Sequence, residues 1–191
     1  MMMAGAMAEI ARQKENDCLV IRARTDAEAL GQLYELYYER ISRFCVHRLF
    51  YKEVAEDVTS AIFLQVARQI KSFAGRTDLD FHNWLYAIAA NHANSYIRKT
   101  LRRQRLLADA PLTRASENDC ADRLDWPALY KAILKLKPKH QTIITLRFFE
   151  NMDFKQIANI INAREATVRV MLHRILKKLK AHLQTTVDGG K

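Results

Sequence analysis

Chain breakers are scarce: 5 Gly and 3 Pro occur in 191 residues. That is too little turn chemistry for a sandwich or barrel of short strands. With 49% of the residues hydrophobic, the chain is expected to bury its cores between helices. Cysteine is sparse as well. Cys18, Cys45 and Cys120 are odd in number and widely spaced, which argues against a disulfide framework and a zinc knuckle. The histidines show no ligand spacing, so no metal and no cofactor is expected. There is no glycine-rich phosphate loop and no nucleophile beside a base. The reading is therefore of a non-enzyme without a small-molecule substrate. No apolar run is long enough to enter a bilayer as a spanning helix. Met1 to Met7 lack the basic start and apolar segment of a signal peptide, which predicts a cytoplasmic protein. Negative charge is the last shortage: 31 Lys+Arg face 21 Asp+Glu, a net charge of +10. Such a chain favours polyanions, with nucleic acid ahead of an anionic membrane surface.

What is present is organised by the stretch from Asp153 to Leu183. It reads as a short helix, a tight break and a longer helix, the pattern of a helix-turn-helix. Asp153 caps the first helix, with Gln156 reaching back. Asn162 tolerates the left-handed conformation that the turn needs. In the second helix Val168, Leu172, Ile175, Leu176 and Leu179 recur at helical spacing as the buried stripe. The opposite face carries Ala166, Arg169, Val170, His173, Arg174 and Lys177. Basic groups there suit phosphates and guanine edges, and small apolar groups suit thymine methyls. An ordinary amphipathic helix with a solvated basic face has the same pattern.

Residues 1–24 have mixed composition and weak periodicity, and read as a flexible tail with room for a short helix. Thr25 opens a capping box with Glu28. A long amphipathic helix then runs over 26–49, with Leu30, Leu33, Tyr34, Tyr37, Ile41, Phe44, Cys45 and Leu49 inward. A second helix covers about 53–73, with Val58, Ile62, Val66, Ile70 and Phe73 inside, reinforced by Phe63. Gly75, Thr77, Asp78 and Asp80 mark a break. A third helix covers about 81–103. Asn91, Asn94, Arg98 and Arg102 run along one side of it, and Arg98, Lys99, Arg102, Arg103 and Arg105 form a basic cluster. Amides followed by cations suit base edges and then phosphates, although cations also favour any helix C-terminus.

Residues 106–125 change character. Asp109, Glu117, Asp119, Asp122 and Asp125 outnumber Arg114 and Arg123, and Pro111, Ser116 and Asn118 break the pattern. This is a mildly acidic flexible linker and a domain boundary. A short helix from Trp126 to Leu136 follows. Pro138 then starts another, with Ile143, Ile144, Leu146 and Phe148 as its apolar positions. The expected fold is all-α: two small helical domains, 25–105 and 126–185, joined by that linker, with 186–191 as a tail. The C-terminal one is a four-helix domain containing the helix-turn-helix.

Taken in order, these residues resemble bacterial RNA polymerase sigma factors of the sigma-70 family, in particular the extracytoplasmic-function (ECF) type. The likeness runs from about Asp26 to Leu183. Ala55-Glu56-Asp57-Val58-Thr59 with Phe63-Leu64 is similar to the polymerase-binding signature of region 2. Phe81, Trp84-Leu85, Ile88-Ala89, Asn91 and Arg98-Lys99 are similar to its promoter-melting helix. Leu136, Pro138, Leu146, Ile157-Ala158, Thr167-Val168-Arg169 and His173-Arg174 are similar to region 4. There are departures. Ala61 stands where an acid is usual and Ser95 where Asp is usual. Arg164 stands where Ser or Thr caps the recognition helix, and Asn162 where Gly is common.

The resemblance implies a dissociable subunit whose partners are core RNA polymerase and promoter DNA, with an anti-sigma factor as a further partner in many relatives. Glu56, Asp57, Val58, Phe63 and Leu64 would bind polymerase. Thr77, Asp78, Asn91, Asn94, Arg98 and Arg102 would hold the opened minus-10 element. Arg164, Thr167, Arg169, Val170, His173, Arg174 and Lys177 would read the minus-35 element. Two other readings stay open on the sequence: a free-standing helix-turn-helix regulator, and a helical scaffold with solvated basic faces.

Overall fold

The computed structural model describes residues 14–106 and 126–188. The expected linker beyond Leu106, Cys120, and the ends 1–13 and 189–191 lie outside the described residues. The described chain is helical. Its first helix, α1, covers 14–22, within the stretch that the sequence assigns to a tail. Val20 is its anchor, fully buried with Ala23 just behind it. One anchor in a nine-residue helix leaves little periodicity to read.

The next helix, α2 (Ala27–Leu49), is capped by Asp26, whose carboxylate accepts the Glu28 amide N–H. The expected cap at Thr25 does not form, because Thr25 sits in the turn out of α1 and its hydroxyl faces the Arg22 carbonyl. From α2, Leu33, Tyr37, Ile41, Phe44, Cys45 and Leu49 are buried. Tyr34 leans outward at 44% exposure, its ring edge-on to Phe63.

Helix α3 (Lys52–Gln69) buries Val58, Ile62, Phe63 and Val66. It tightens into a 3-10 turn at Ile70–Ser72, and Phe73 is already extended. Helix α4 (Asp78–Leu106) begins three residues before the expected start. The reason is a reciprocal cap: the Asp80 amide donates to Thr77 Oγ1, and Asp80 Oδ2 accepts the Thr77 amide. Phe81, Leu85, Tyr86, Ile88 and Ala89 line its buried face. Each fully buried large apolar side chain contributes roughly 1.5–3 kcal/mol, which α2, α3 and α4 share by packing on one another.

In the C-terminal part, α5 (Trp126–Leu134) stops short of Leu136. Helix α6 (Pro138–Ile144) has its proline in the first turn and widens into a π-helical turn at Thr145–Phe149. That widening turns Phe148 out to 52% exposure, against the sequence expectation. Helix α7 (Phe154–Ile160) carries the expected capping box between Asp153 and Gln156. Asn162 takes the left-handed turn conformation at φ 50°, and α8 (Glu165–Asp188) follows. Val168, Leu172 and Ile175 are its buried stripe. Leu176 is 41% exposed, because it sits about 100° round the helix from Ile175.

The two parts pack together. The π-helical turn meets α2, and α6 and α7 meet α4. The joint is at the end of α2. Phe50 adopts φ 65°, uncommon for a bulky residue. Its ring lies edge-on to Tyr130 of α5 at 4.3 Å between centroids. His47 stacks near Phe149 at 4.6 Å.

Candidate nucleic-acid and polymerase interfaces

On α3, the fall of residues separates two roles. Val58 and Phe63 are buried, whereas Glu56, Asp57 and Leu64 face out. Glu53, Asp57, Ser60, Leu64 and Arg68 are all exposed and recur every three or four residues. They make one stripe with acids in its first half, an apolar centre and a cation at the end. Glu53, in the first turn, suits the helix N-terminus electrostatically. Leu64, at 52% exposure, is an apolar group without a cover among the described residues.

The loop before α4 is held from inside. Tyr37 donates its hydroxyl to Asp78 Oδ1 at 2.7 Å. Burial, and then that carboxylate, push the Tyr37 phenol well above its ordinary value. Asp80 Oδ2 accepts the Arg76 and Thr77 amides at 3.0 and 3.1 Å. These bonds, Arg76's first, hold the Asp80 carboxyl below its usual range. A Cβ at Gly75 would stand 2.3 Å from the Phe73 ring and 2.6 Å from Asp80 Cβ, so only glycine fits there. Thr77 thus uses its side chain on the cap of α4 and Asp78 on Tyr37 of α2. The side chains left facing out are Arg76 and Leu79, the latter 50% exposed. Sequence reasoning passed over both; the capping-box spacing Thr77-x-x-Asp80 was the signal that could have exposed them.

Along α4, Asn91, Arg98 and Arg102 are exposed. At about 100° per residue they fall within roughly 20° of one line. Lys99 and Arg103 flank them, also exposed. Asn94 lies elsewhere. Its Oδ1 accepts from Arg48 Nη2 at 2.8 Å and from the Thr142 hydroxyl at 3.1 Å. Arg48 itself is 1% exposed. Its Nη1 donates to Gln141 Oε1 at 2.6 Å and its Nη2 to the Pro138 carbonyl at 2.7 Å. Each of these acceptors is neutral. Burial pushes the Arg48 guanidinium down to about 9, which leaves it charged at neutral pH. Close by, Tyr86 donates to Glu150 Oε2 at 2.8 Å, and His47 Nδ1 lies 3.9 Å from Glu150 Oε1. Contacts between residues so far apart in the chain leave no local sequence signal.

On the helix-turn-helix, Arg164, Thr167, Arg169, Val170, His173, Arg174 and Lys177 are all exposed. They form one outward surface opposite Val168, Leu172 and Ile175. Arg169 is the one that is engaged. Its Nη2 donates to Glu165 Oε1 at 2.6 Å, and its guanidinium lies 4.2 Å from the Phe154 ring centroid. Arg147 approaches the same ring at 5.0 Å. The spacing of Glu165 and Arg169 is legible in the sequence; the shared ring is not.

Elsewhere, a pocket of about 270 Å³ opens between α2 and α3 beside Phe81. Tyr34 supplies the only polar side-chain group on its walls, so it offers little to a polar ligand. Among the described residues no cluster of His, Cys, Asp and Glu could hold a metal ion. No helix among them is long and apolar enough to cross a membrane.

Known proteins share this geometry. The family model "Sigma-70 region 2" matches residues 33–103, and "Sigma-70, region 4" matches residues 127–179. Together they span more than half of the chain. The ECF RNA polymerase sigma factor BldN of Streptomyces coelicolor is 31% identical over 169 residues, covering 84% of this chain and 63% of that protein. RNA polymerase sigma factor YlaC of Bacillus subtilis is 26% identical over 162 residues, covering 82% of this chain and 92% of that protein. The fold is that of the sigma factor RpoE of Bartonella quintana, solved with the anti-sigma factor NepR, at TM-score 0.59 and 21% identity over 81% of this chain and 96% of that one. CnrH, solved with the cytosolic domain of CnrY, matches at TM-score 0.62 and 17% identity, covering 92% of this chain and 99% of that one. Regions 2 and 4 stand in family order, one with its acid–apolar stripe and basic helix, the other with its helix-turn-helix, and so the chain belongs to the sigma-70 family of RNA polymerase sigma factors, among those of the ECF type.

Proposed function

We propose that this protein is a dissociable, non-catalytic specificity subunit, which binds core RNA polymerase in the cytoplasm and directs it to promoters. The observation that carries the reading is the division of exposed faces on one chain. An acid-to-apolar stripe on α3 suits a protein partner, while the outward faces of α4 and α8 are basic. Docking falls to Glu56, Asp57 and Leu64, with Val58 and Phe63 setting the helix in place. Strand opening at the minus-10 element falls to the loop before α4 and to Asn91, Arg98 and Arg102. A base taken out of the stack must be compensated by stacking and hydrogen-bonding groups, and its backbone by cations. Asn94 joins that set when Arg48 releases it. Minus-35 reading falls to Thr167, Arg169, Val170 and His173, with Arg164, Arg174 and Lys177 on phosphates.

The solved RpoE and CnrH structures hold a second protein, which supports an anti-sigma partner for this chain too. A free-standing regulator would bind duplex sites unaided and leave core polymerase unaltered. The separating experiment is run-off transcription by core polymerase on genomic fragments. New, promoter-specific transcripts are expected only when the chain is added. Transcripts unchanged by the chain, with duplex binding intact, would overturn the reading in favour of that regulator.

A further inference from the structure

Helix α1 does not trail from the fold. It and the turn that follows it hold the loop before α4 and the start of α4 at two separate points. Asp17 Oδ1 accepts the amide of Asp78, the first residue of α4, at 2.6 Å. Six residues past Asp17, Ala23 is buried. Beside it Arg24 donates through Nη2 to the carbonyl of Gly75, with its guanidinium 5.9 Å from the Phe73 ring centroid. Val20, fully buried between these two, fixes the helix against the domain. One bond therefore holds the middle of the loop and the other the start of the helix that follows. The loop cannot simply slide between them, because Gly75 is wedged against Phe73 and Asp80. On the outer side, Arg76 of the loop and Leu79 of the first turn of α4 face solvent.

We infer that α1 is a clasp for the minus-10 loop, and that Asp17 and Arg24 are positioning residues that set how Arg76 and Leu79 meet the opened strand. The inference rests on the loop's proposed part in minus-10 recognition. Its physical content is pre-organisation: a loop already fixed in its bound shape loses less freedom when a base arrives. The clasp acts on two backbone groups, so it tunes the loop without touching DNA. Its loss is felt in discrimination at minus-10 positions, and neither polymerase docking nor minus-35 reading depends on it.

The test uses the full chain with core polymerase on two promoter sets, single-base variants of the minus-10 and of the minus-35 element. Asp17→Ala and Arg24→Met each remove one bond of the clasp; Arg24→Met keeps apolar bulk over Phe73. Each is expected to flatten the minus-10 preference by roughly fivefold, the scale of a missing helix cap. The minus-35 profile and capture by core polymerase should stay at parental level. Asp17→Asn retains the acceptor oxygen and should restore the preference. A parental minus-10 profile in both Asp17→Ala and Arg24→Met overturns the clasp. So does a loss spread over both promoter sets with a lowered melting temperature, since that is a folding defect. The double variant Arg76→Ala/Leu79→Ala separates the two layers. If it leaves the minus-10 profile unchanged, the loop itself is not the reader and the underlying assignment falls. If it flattens the profile while both clasp variants do not, only the clasp falls.

Discussion

Replacing Asn94 by Asp should close the two domains on each other, and replacing it by Ala should open them. Asn94 offers one oxygen to a buried guanidinium whose hydrogen-bond acceptors are all neutral. Asn94→Asp keeps that oxygen, still within reach of Thr142, and adds the missing negative charge. Arg48 and position 94 share the N-terminal domain, so the pair persists when the domains part. Two unit charges about 4 Å apart attract by about 1 kcal/mol in water and about 4 kcal/mol at an effective dielectric of ~20, and only the difference counts toward closure. Withdrawing a carboxylate from water costs several kcal/mol when burial is complete, and less at a half-buried position such as this one. The balance favours the closed form by about 1–2 kcal/mol, a shift of roughly 5- to 30-fold. Asn94→Ala instead strips an acceptor from a charged donor, a loss of about 1.5–3 kcal/mol, and the closed form weakens by about tenfold or more. Energy transfer between labels on Ser60 of α3 and Lys178 of α8, both exposed, reads closure in a chain with Cys18 and Cys120 replaced by serine. Transfer should rise in Asn94→Asp and fall in Asn94→Ala. Movement in the same direction, or in neither, would refute the reasoning, because an acceptor shared by Arg48 and Thr142 makes the two changes opposite in sign.

Three further outcomes are expected. Asp57→Lys should weaken capture by core polymerase with helical content unchanged by circular dichroism; capture at parental strength would remove α3 from the docking role. Arg169→Ala should relax base preference at one or two minus-35 positions, since a bidentate arginine–guanine pair is worth about 1–3 kcal/mol. Lys177→Ala with Lys178→Ala should weaken all sequences alike and flatten the salt dependence by up to about 0.9 for every phosphate no longer neutralised. An unchanged preference profile in Arg169→Ala would demote that residue to a backbone contact. Asp80 supplies a pH test: its carboxyl is held below the ordinary 3.8. The bonds it makes are therefore complete above that value and are lost only as pH falls through the lower, folded one. The amide resonances of Arg76 and Thr77 should titrate with a midpoint below 3.8; a midpoint at or above it would refute the cap.

The parts of this molecule that were legible in the sequence are those written at short range. The Asp153–Gln156 box, the left-handed Asn162 and the buried stripe of Val168, Leu172 and Ile175 each depend on residues within one or two turns, where spacing decides geometry. Errors also cluster by cause. Thr25 and Asp26 both have capping side chains, and only the turn leaving α1 selects between them. Leu176 and Phe148 look like core by type and spacing, and a small rotation puts them outside. The long-range partnerships were out of reach. Arg48 meets Gln141 and Asn94, and Arg24 meets Gly75, across separations that no periodicity encodes. In the sequence these arginines count only toward a net charge of +10. In the fold they hold the protein together, while Arg98, Arg102, Arg174 and Lys177 remain free-facing.

That division bears on how the joint between the domains behaves. A buried arginine is usually paired with a carboxylate, and removing one partner of such a pair is strongly destabilising. Here the surrounding positions hold Asn94, Gln141 and Thr142, which accept hydrogen bonds without answering the charge. Arg48 Nε has no hydrogen-bond partner among the described residues. Glu150, the nearby acid, is engaged by Tyr86 and lies toward His47 instead. The closed arrangement is therefore geometrically well defined but electrostatically incomplete. A carboxylate at position 94 would tighten it at the expense of release. Neutral amides keep the joint specific and leave it within reach of the binding energy that a protein partner can supply.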